Sequence, residues 1–224
     1  MTAIVLFGCG KISEVYAGVI EAEGLFEVAA FTVDRAYLPG DAHLGRPVVA
    51  FDEVAARFPP DTHAMAIAVG YHDANRVREE RFEAAQAKGY DLPAIVSRQA
   101  WVPAGFTPGA GAFVMDRVSV QPGASVAENA ALWSGTVVGH HAAIGAHSWI
   151  ASNTTIGSST TIGRRCLLAL NATVGHEIEV GEGAFLGAGA RVTKSTGAGA
   201  VHIARDTDRF RLDHDDFLRI SKMR

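Results

Sequence analysis

From Val114 to Val192 every sixth residue is aliphatic, with no insertion: Val114, Val120, Val126, Leu132, Val138, Ile144, Ile150, Ile156, Ile162, Leu168, Val174, Val180, Leu186 and Val192. The position two residues earlier is almost always small, from Ala112 through Thr136, Ser148 and Cys166 to Ala190. The position just after is often glycine, as at Gly139, Gly145, Gly157, Gly163, Gly175, Gly181 and Gly187. A helix would repeat every 3.6 residues and an ordinary strand every two. A period of six fits short strands joined by tight corners, three hexads to each triangular coil. The aliphatic residue fills the coil interior, the small residue fits beside it, and the glycine is expected to take a φ > 0 corner. A β-sandwich would space its strands irregularly. The second half of the chain is therefore expected to be a parallel β-helix.

The 224 residues suffice for two domains, each with its own core. Net charge is −4 with both signs interspersed, which leaves no electrostatic footprint for nucleic acid or an anionic membrane. Cys9 and Cys166 are too few and too far apart for a disulfide framework or a zinc cluster. The opening MTAIVLFGCG lacks the basic flank and long apolar stretch of a signal peptide, and no apolar run approaches the roughly 20 residues that span a bilayer. The expectation is a soluble cytoplasmic protein with no membrane insertion.

The first ninety-odd residues alternate strand and helix. A strand over Ala3–Phe7 meets the turn Gly8-Cys9-Gly10-Lys11, and a helix follows over Ser13–Glu23, with Ser13 as its N-cap. Further strands are expected at Phe26–Val33, Ala64–Val69 and around Leu92–Val96, with helices at Asp52–Phe58 and Ala74–Lys88. Such alternation implies a small parallel α/β sheet. The turn stops short of the dinucleotide fingerprint, because Ser13 replaces the third glycine, but Asp34 stands about twenty residues on, where a ribose-binding acid would. Its backbone N–H groups and the helix N-terminus suit a phosphate, with Lys11 adding a point charge. Asp34 and Gly70 converge with it at the carboxyl ends of the strands. A tight βα turn with no ligand accounts for the same residues.

Four histidines fall within the repeat: His140, His141, His147 and His176. Residues 18 apart stack, so Ser158 sits above His140 and His147 lies one corner further round. His140 and His141 follow Val138 and Gly139, which puts both on an exposed corner. A neutral imidazole there can take a proton from an attacking amine or hydroxyl, and the N–H of Ser158 stands where an oxyanion donor is needed. A surface histidine without a role is the bland alternative for any one of them. A zinc site of the β-helix carbonic anhydrase kind also competes. It needs three converging ligands and an open position, whereas the spacing of His140 and His141 to His147 sends the rings to different corners. No metal is expected.

These residues together resemble the NeuD/PglD-like sugar acyltransferases of the left-handed β-helix, hexapeptide-repeat superfamily. The segments that carry the resemblance are IVLFGCGK, FTVD and AIAVG, then TVVGHHAAIGAHSWI, CLLALNATV and AFLGAGARVTK, in that order over nearly the whole chain. The resemblance implies a left-handed coil, on which the spacing is silent. It implies residues 1–98 as a Rossmann-like nucleotide-sugar domain, 99–204 as the β-helix acyltransferase domain, and 205–224 as a tail with a helix at Asp213–Ser221. It further implies a homotrimer that moves acetyl from acetyl-coenzyme A to a nucleotide-linked sugar, on an amine or alternatively a hydroxyl.

Carried over, His140 is the base, with His141 and Ser158 beside it. Gly8, Gly10, Lys11, Asp34 and Gly70 fall in the nucleotide-sugar loops, and Asn171, Gly187, Ala188 and Lys194 on the coenzyme-A coils. Three departures stand out. His141 replaces the acid that often orients the base, Trp133 replaces a sugar-contacting asparagine, and AVHIARDT replaces the usual Gly-x-Pro-Ala tail. Arg205, Arg209 and Arg211 read as a solvated basic face or as coenzyme-phosphate contacts. Trp133 and Trp149 are expected on exposed prism faces, as packing surface for the trimer. A non-catalytic trimeric scaffold that senses a nucleotide is the alternative of another class.

Overall fold

The computed structural model describes residues 3–222, an α/β domain followed by a parallel β-helix. The first domain has strands β1 (Ala3–Phe7), β2 (Glu27–Val33), β3 (Ala42–His43), β4 (Arg46–Ala50) and β5 (His63–Ile67), in the order β3-β4-β2-β1-β5. All pair in parallel except the short β3–β4 hairpin. Helices α1 (Lys11–Ala22), α2 (Val54–Arg57) and α3 (Arg76–Ala87) connect them. The chain leaves β1 to one side for β2 and returns to its other side as β5. That reversal makes a topological switch point at the carboxyl end of β1, where open α/β sheets bind ligands.

Two-residue strands stack into three parallel faces of the prism. The first runs from Ile95–Val96 to Val201–His202, the second from Ser119–Val120 to Arg191–Val192, and the third from Ser125–Val126 to Glu179–Val180. Residues 18 apart pair in register, as Val138 with Ile156 and Leu132 with Ile150. The aliphatic column is buried throughout. The small residues beside it are tied to the next coil: the hydroxyls of Ser148, Thr154 and Thr160 donate to Gly163, Ala169 and Gly175 carbonyls at 2.9, 3.2 and 2.7 Å. These three interior hydroxyls are therefore satisfied.

The corners depart from expectation. From Arg117 to Gly189 the left-handed residue is the third of each corner, as at His141, His147, Ser159 and Arg165, with φ of 58, 60, 55 and 55°. The glycines after the aliphatic column serve close approach instead. A Cβ on Gly145 would lie 2.5 Å from the carbonyl carbon of Gly163, and one on Gly157 equally close to that of Gly175. Coil-to-coil spacing, rather than a positive φ, demands glycine there.

Other boundaries also move. Gly10 caps α1, and Ser13 lies inside it, its hydroxyl donating back to the Gly10 carbonyl at 2.6 Å. Ile95–Val96, expected with the first sheet, pairs with Phe113–Val114 and opens the prism instead. The tail forms α4 (His214–Ser221), capped by Asp213, whose carboxylate accepts from the Asp216 N–H at 3.0 Å. Among the described residues no helix is long and apolar enough to cross a membrane.

The two domains share one core. Tyr16 of α1 stacks on Phe113 of the first prism face at 3.7 Å between centroids. Glu79 of α3 pairs with Arg164 and Arg165, and Arg165 reaches on to Glu182. Trp149, expected on an exposed face, is buried between Trp133, Tyr71 and the Arg78 guanidinium. It packs inside one chain because α3 and the preceding loop cover that part of the first face.

Candidate active site

Gly8, Gly10, Lys11, Asp34 and Gly70 come together as expected, lining a cleft of about 760 Å³ at the carboxyl ends of β1, β2 and β5. The two glycines do different work. Gly8 has φ 130°, and a Cβ on it would sit 2.5 Å from the Ala68 carbonyl oxygen, so it serves the strand crossing. Nothing lies within 4 Å of a Cβ on Gly10, so its bareness leaves room in the cleft. Asp34 is engaged by Arg81 of α3 at 3.4 Å, and the guanidinium also lies 5.9 Å from the Phe7 ring centroid. Lys11 and Arg81 give the cleft two cations, which suits a diphosphate. Burial pushes the Cys9 thiol up to about 11, which keeps it protonated and poorly nucleophilic.

An apolar groove of about 380 Å³ adjoins this cleft through Ile12 and the loop after β5. Tyr71, Trp133, Trp149, Leu167 and Phe185 line it, with Ala188 at its edge. Trp133 thus stands in the groove and not in the cleft, while Gly187 stacks beneath His202 and Ile203.

The histidine pair occupies a corner between the second and third prism faces, and both rings are exposed. Their Nδ1 atoms lie 3.1 Å apart. With the proton on His140 Nδ1 donated to His141 Nδ1, the Nε2 of His140 keeps a free lone pair, the state a general base needs. In that arrangement His141 is the hydrogen-bond partner of His140, at the place where the resemblance would put an acid. Ser158 stacks above: the Ser159 N–H donates to the His140 carbonyl at 2.9 Å. Among the described residues the Ser158 N–H finds no backbone partner. His176 and Lys194 continue the same corner upward. Asn171 lies across the second face, at the other edge.

His147 belongs elsewhere. It is buried against Phe82 of α3, with Nδ1 2.9 Å from Asn129 Nδ2, so it accepts that hydrogen bond. Desolvation, reinforced by the charge of Arg164, pulls its pKa down to about 4. The ring is a neutral interface group, turned away from His140 and His141. Among the described residues no group of three or more His, Cys, Asp or Glu side chains is placed to hold a metal.

No family model matches the chain, and no curated protein matches its sequence. Solved structures do match. PerB from Caulobacter crescentus, in complex with CoA and GDP-perosamine, superposes with a TM-score of 0.81 at 24% identity, over 90% of this chain and 94% of that one. The acetyltransferase domain of PglB from Neisseria gonorrhoeae, in complex with acetyl coenzyme A, gives 0.81 at 24% identity, over 91% and 96%. WeeI from Acinetobacter baumannii is more distant, at 0.55 and 19% identity, over 91% and 97%. The chain has the fold of these proteins. It is an α/β domain joined to a parallel β-helix.

Several residues of the site were not singled out from the sequence. Arg81 and His72 line the cleft, and Ile12 and Tyr71 the groove. Arg78, Asn75 and Asn129 bind the two domains together without lining either cavity themselves. One signal was present: Arg78 falls on the stripe of Phe82 and Ala85, the buried face of α3.

Proposed function

We propose that this chain is an acetyl-coenzyme A-dependent N-acetyltransferase acting on an amino group of a nucleotide-linked sugar, working as a homotrimer. The observation that carries the reading is the pairing of a cation-lined switch-point cleft with an exposed, Nδ1-linked histidine pair. PerB, solved with CoA and a nucleotide sugar, shares the fold that carries both. Perosamine N-acetyltransferase has also been solved as variants with one histidine replaced by asparagine or alanine, again with CoA and GDP-perosamine. That choice of residue supports a histidine as the base.

The diphosphate rests on the Gly8–Lys11 turn with Lys11 and Arg81, and the sugar extends along the aromatic groove. The thioester lies in a channel along the second face, past Asn171, Gly187, Ala188 and Lys194 and shared with the neighbouring subunit. There the amine attacks the thioester carbonyl carbon, and its proton passes to Nε2 of His140. The Ser158 N–H donates to the oxyanion. The tetrahedral intermediate collapses by breaking the C–S bond, and the thiolate takes the proton back from the His140 imidazolium. No acyl-enzyme is required, since Cys9 and Cys166 are both held protonated by burial. Holding two substrates in line supplies a large share of the rate.

The test is release of coenzyme-A thiol from acetyl-coenzyme A in the presence of a panel of nucleotide-linked amino sugars and their hydroxyl counterparts. Thiol release with an amino sugar, and N-acetylated product by mass, is expected. Release with the hydroxyl sugars alone would reassign the acceptor atom. Gly10→Val should weaken nucleotide-sugar binding while leaving coenzyme-A binding and the melting temperature nearly intact, because a side chain there meets only cleft space.

A further inference from the structure

The loop between β5 and α3 is held in a conformation its residues do not favour. Asp73, Ala74 and Asn75 are consecutive left-handed residues, with φ of 46, 49 and 66°. Residues other than glycine stay there only when the surroundings over-determine them. Two fully buried side chains do so. Asn75 donates from Nδ2 to the Cys166 carbonyl at 3.1 Å, across the domain boundary. Arg78, three residues later, donates from Nη1 to the carbonyls of Ile67 and Val69 at 3.2 and 2.8 Å. Its Nη2 donates to the Asn129 carbonyl and side-chain oxygen at 2.9 and 3.0 Å. Asn129 closes the circle by donating to the Arg78 carbonyl. The guanidinium also lies 5.4 Å from the Trp149 ring centroid.

A buried cation is costly to desolvate, and an apolar side chain would pack there without that cost. What the planar fork adds is direction: one rigid group ties the end of β5 to the prism corner at Asn129. Between the Val69 carbonyl that Arg78 holds and Asn75 hang Tyr71, set against Trp149 in the groove, and His72, in the cleft. We propose that Arg78 and Asn75 are positioning residues for the transfer. They clamp the loop from Gly70 to Asn75 onto the prism, and so fix the span from the nucleotide cleft to the groove that leads the acceptor to the thioester. This inference rests on the function proposed above. Misplacement by about 1 Å can cost on the order of 100-fold in rate.

The experiment compares Asn75→Gly, Ala74→Gly, Arg78→Met and Arg78→Lys with the wild type in the full chain. Affinities for GDP, UDP, dTDP and coenzyme A are measured by calorimetry, with kcat, KM and melting temperature alongside. Asn75→Gly removes an anchor but leaves a residue at ease at φ 66°, so the fold should survive. Its kcat should fall roughly 10- to 100-fold, with nucleotide and coenzyme-A affinities close to wild type. Ala74→Gly relaxes the same backbone with both anchors in place, so turnover should persist and the melting temperature rise. Arg78→Lys should recover part of the kcat lost in Arg78→Met. Wild-type kcat in Asn75→Gly would overturn the clamp, as would joint loss of both affinities with the melting temperature, which marks a purely structural role. A wild-type chain that binds nucleotide yet releases no thiol would instead overturn the function, and the clamp with it.

Discussion

His140 and His141 show how much depends on one hydrogen bond between adjacent side chains. With 3.1 Å between their Nδ1 atoms, only one ring can keep its Nδ1 proton, and the pair is poised when His140 holds it. His140→Ala should lower kcat by about 10²–10⁴-fold with little change in either KM, read by steady-state thiol release. His141→Ala should be milder, because it loses orientation and not the base. His147 makes a contrasting case. Its folded pKa is depressed to about 4 from 6.5, so the unfolded chain binds the proton more readily. The stability it contributes is present above about pH 6.5 and is lost as pH falls toward about 4. Melting temperatures across that window should fall for wild type and fall less for His147→Gln. Equal slopes would mean that the ring is not the titrating group.

The hexad period was legible because a coil interior tolerates only one kind of residue at each sixth place. What the period could not reveal was which corner residue turns left-handed, because His141, Arg165 and Glu177 take that conformation without being glycine. The glycines instead answer to the coil above. Gly145→Ala would bring a Cβ 2.5 Å from Gly163 and should destabilise by about 1–3 kcal/mol, as overpacking does. Gly197→Ala, with nothing within 4 Å of its Cβ, should change stability by less than about 0.5 kcal/mol. Denaturant melts of the pair decide it, and equal losses would refute the stacking account. The βα turn and Asp34 were legible for a similar reason, since short-range spacing sets them. Ser13 was misplaced because its hydroxyl can bond the Gly10 carbonyl from inside the helix as readily as cap it. Ile95–Val96 reads as a strand either way, and only tertiary pairing assigns it to the prism. Arg78 was hidden in a charged helix that resembles a solvated face, although its place on the Phe82 stripe marked it as buried.

At the scale of the molecule, one chain does not bring its parts together. The α/β domain covers the first prism face, whereas His140 stands on the edge between the second and third, and none of the residues lining the cleft or groove comes from that corner. Trp149 cannot serve as outward packing surface, as it is already buried within the chain. The case for a trimer therefore rests on the divided site: the cleft of one subunit would meet the His140 corner of the next across a seam. Light scattering should give three times the 23.6 kDa chain mass at micromolar concentration. A sharper prediction follows from mixing. On the proposed mechanism His140→Ala subunits would lack the base and Gly10→Val subunits the nucleotide affinity, so neither variant alone should be active. After dissociation and random reassembly in equal amounts, about a quarter of the seams should pair an intact cleft with an intact His140. Thiol release should recover to about that share of wild type. If cleft and base act within one chain, mixing restores nothing, because no subunit carries both.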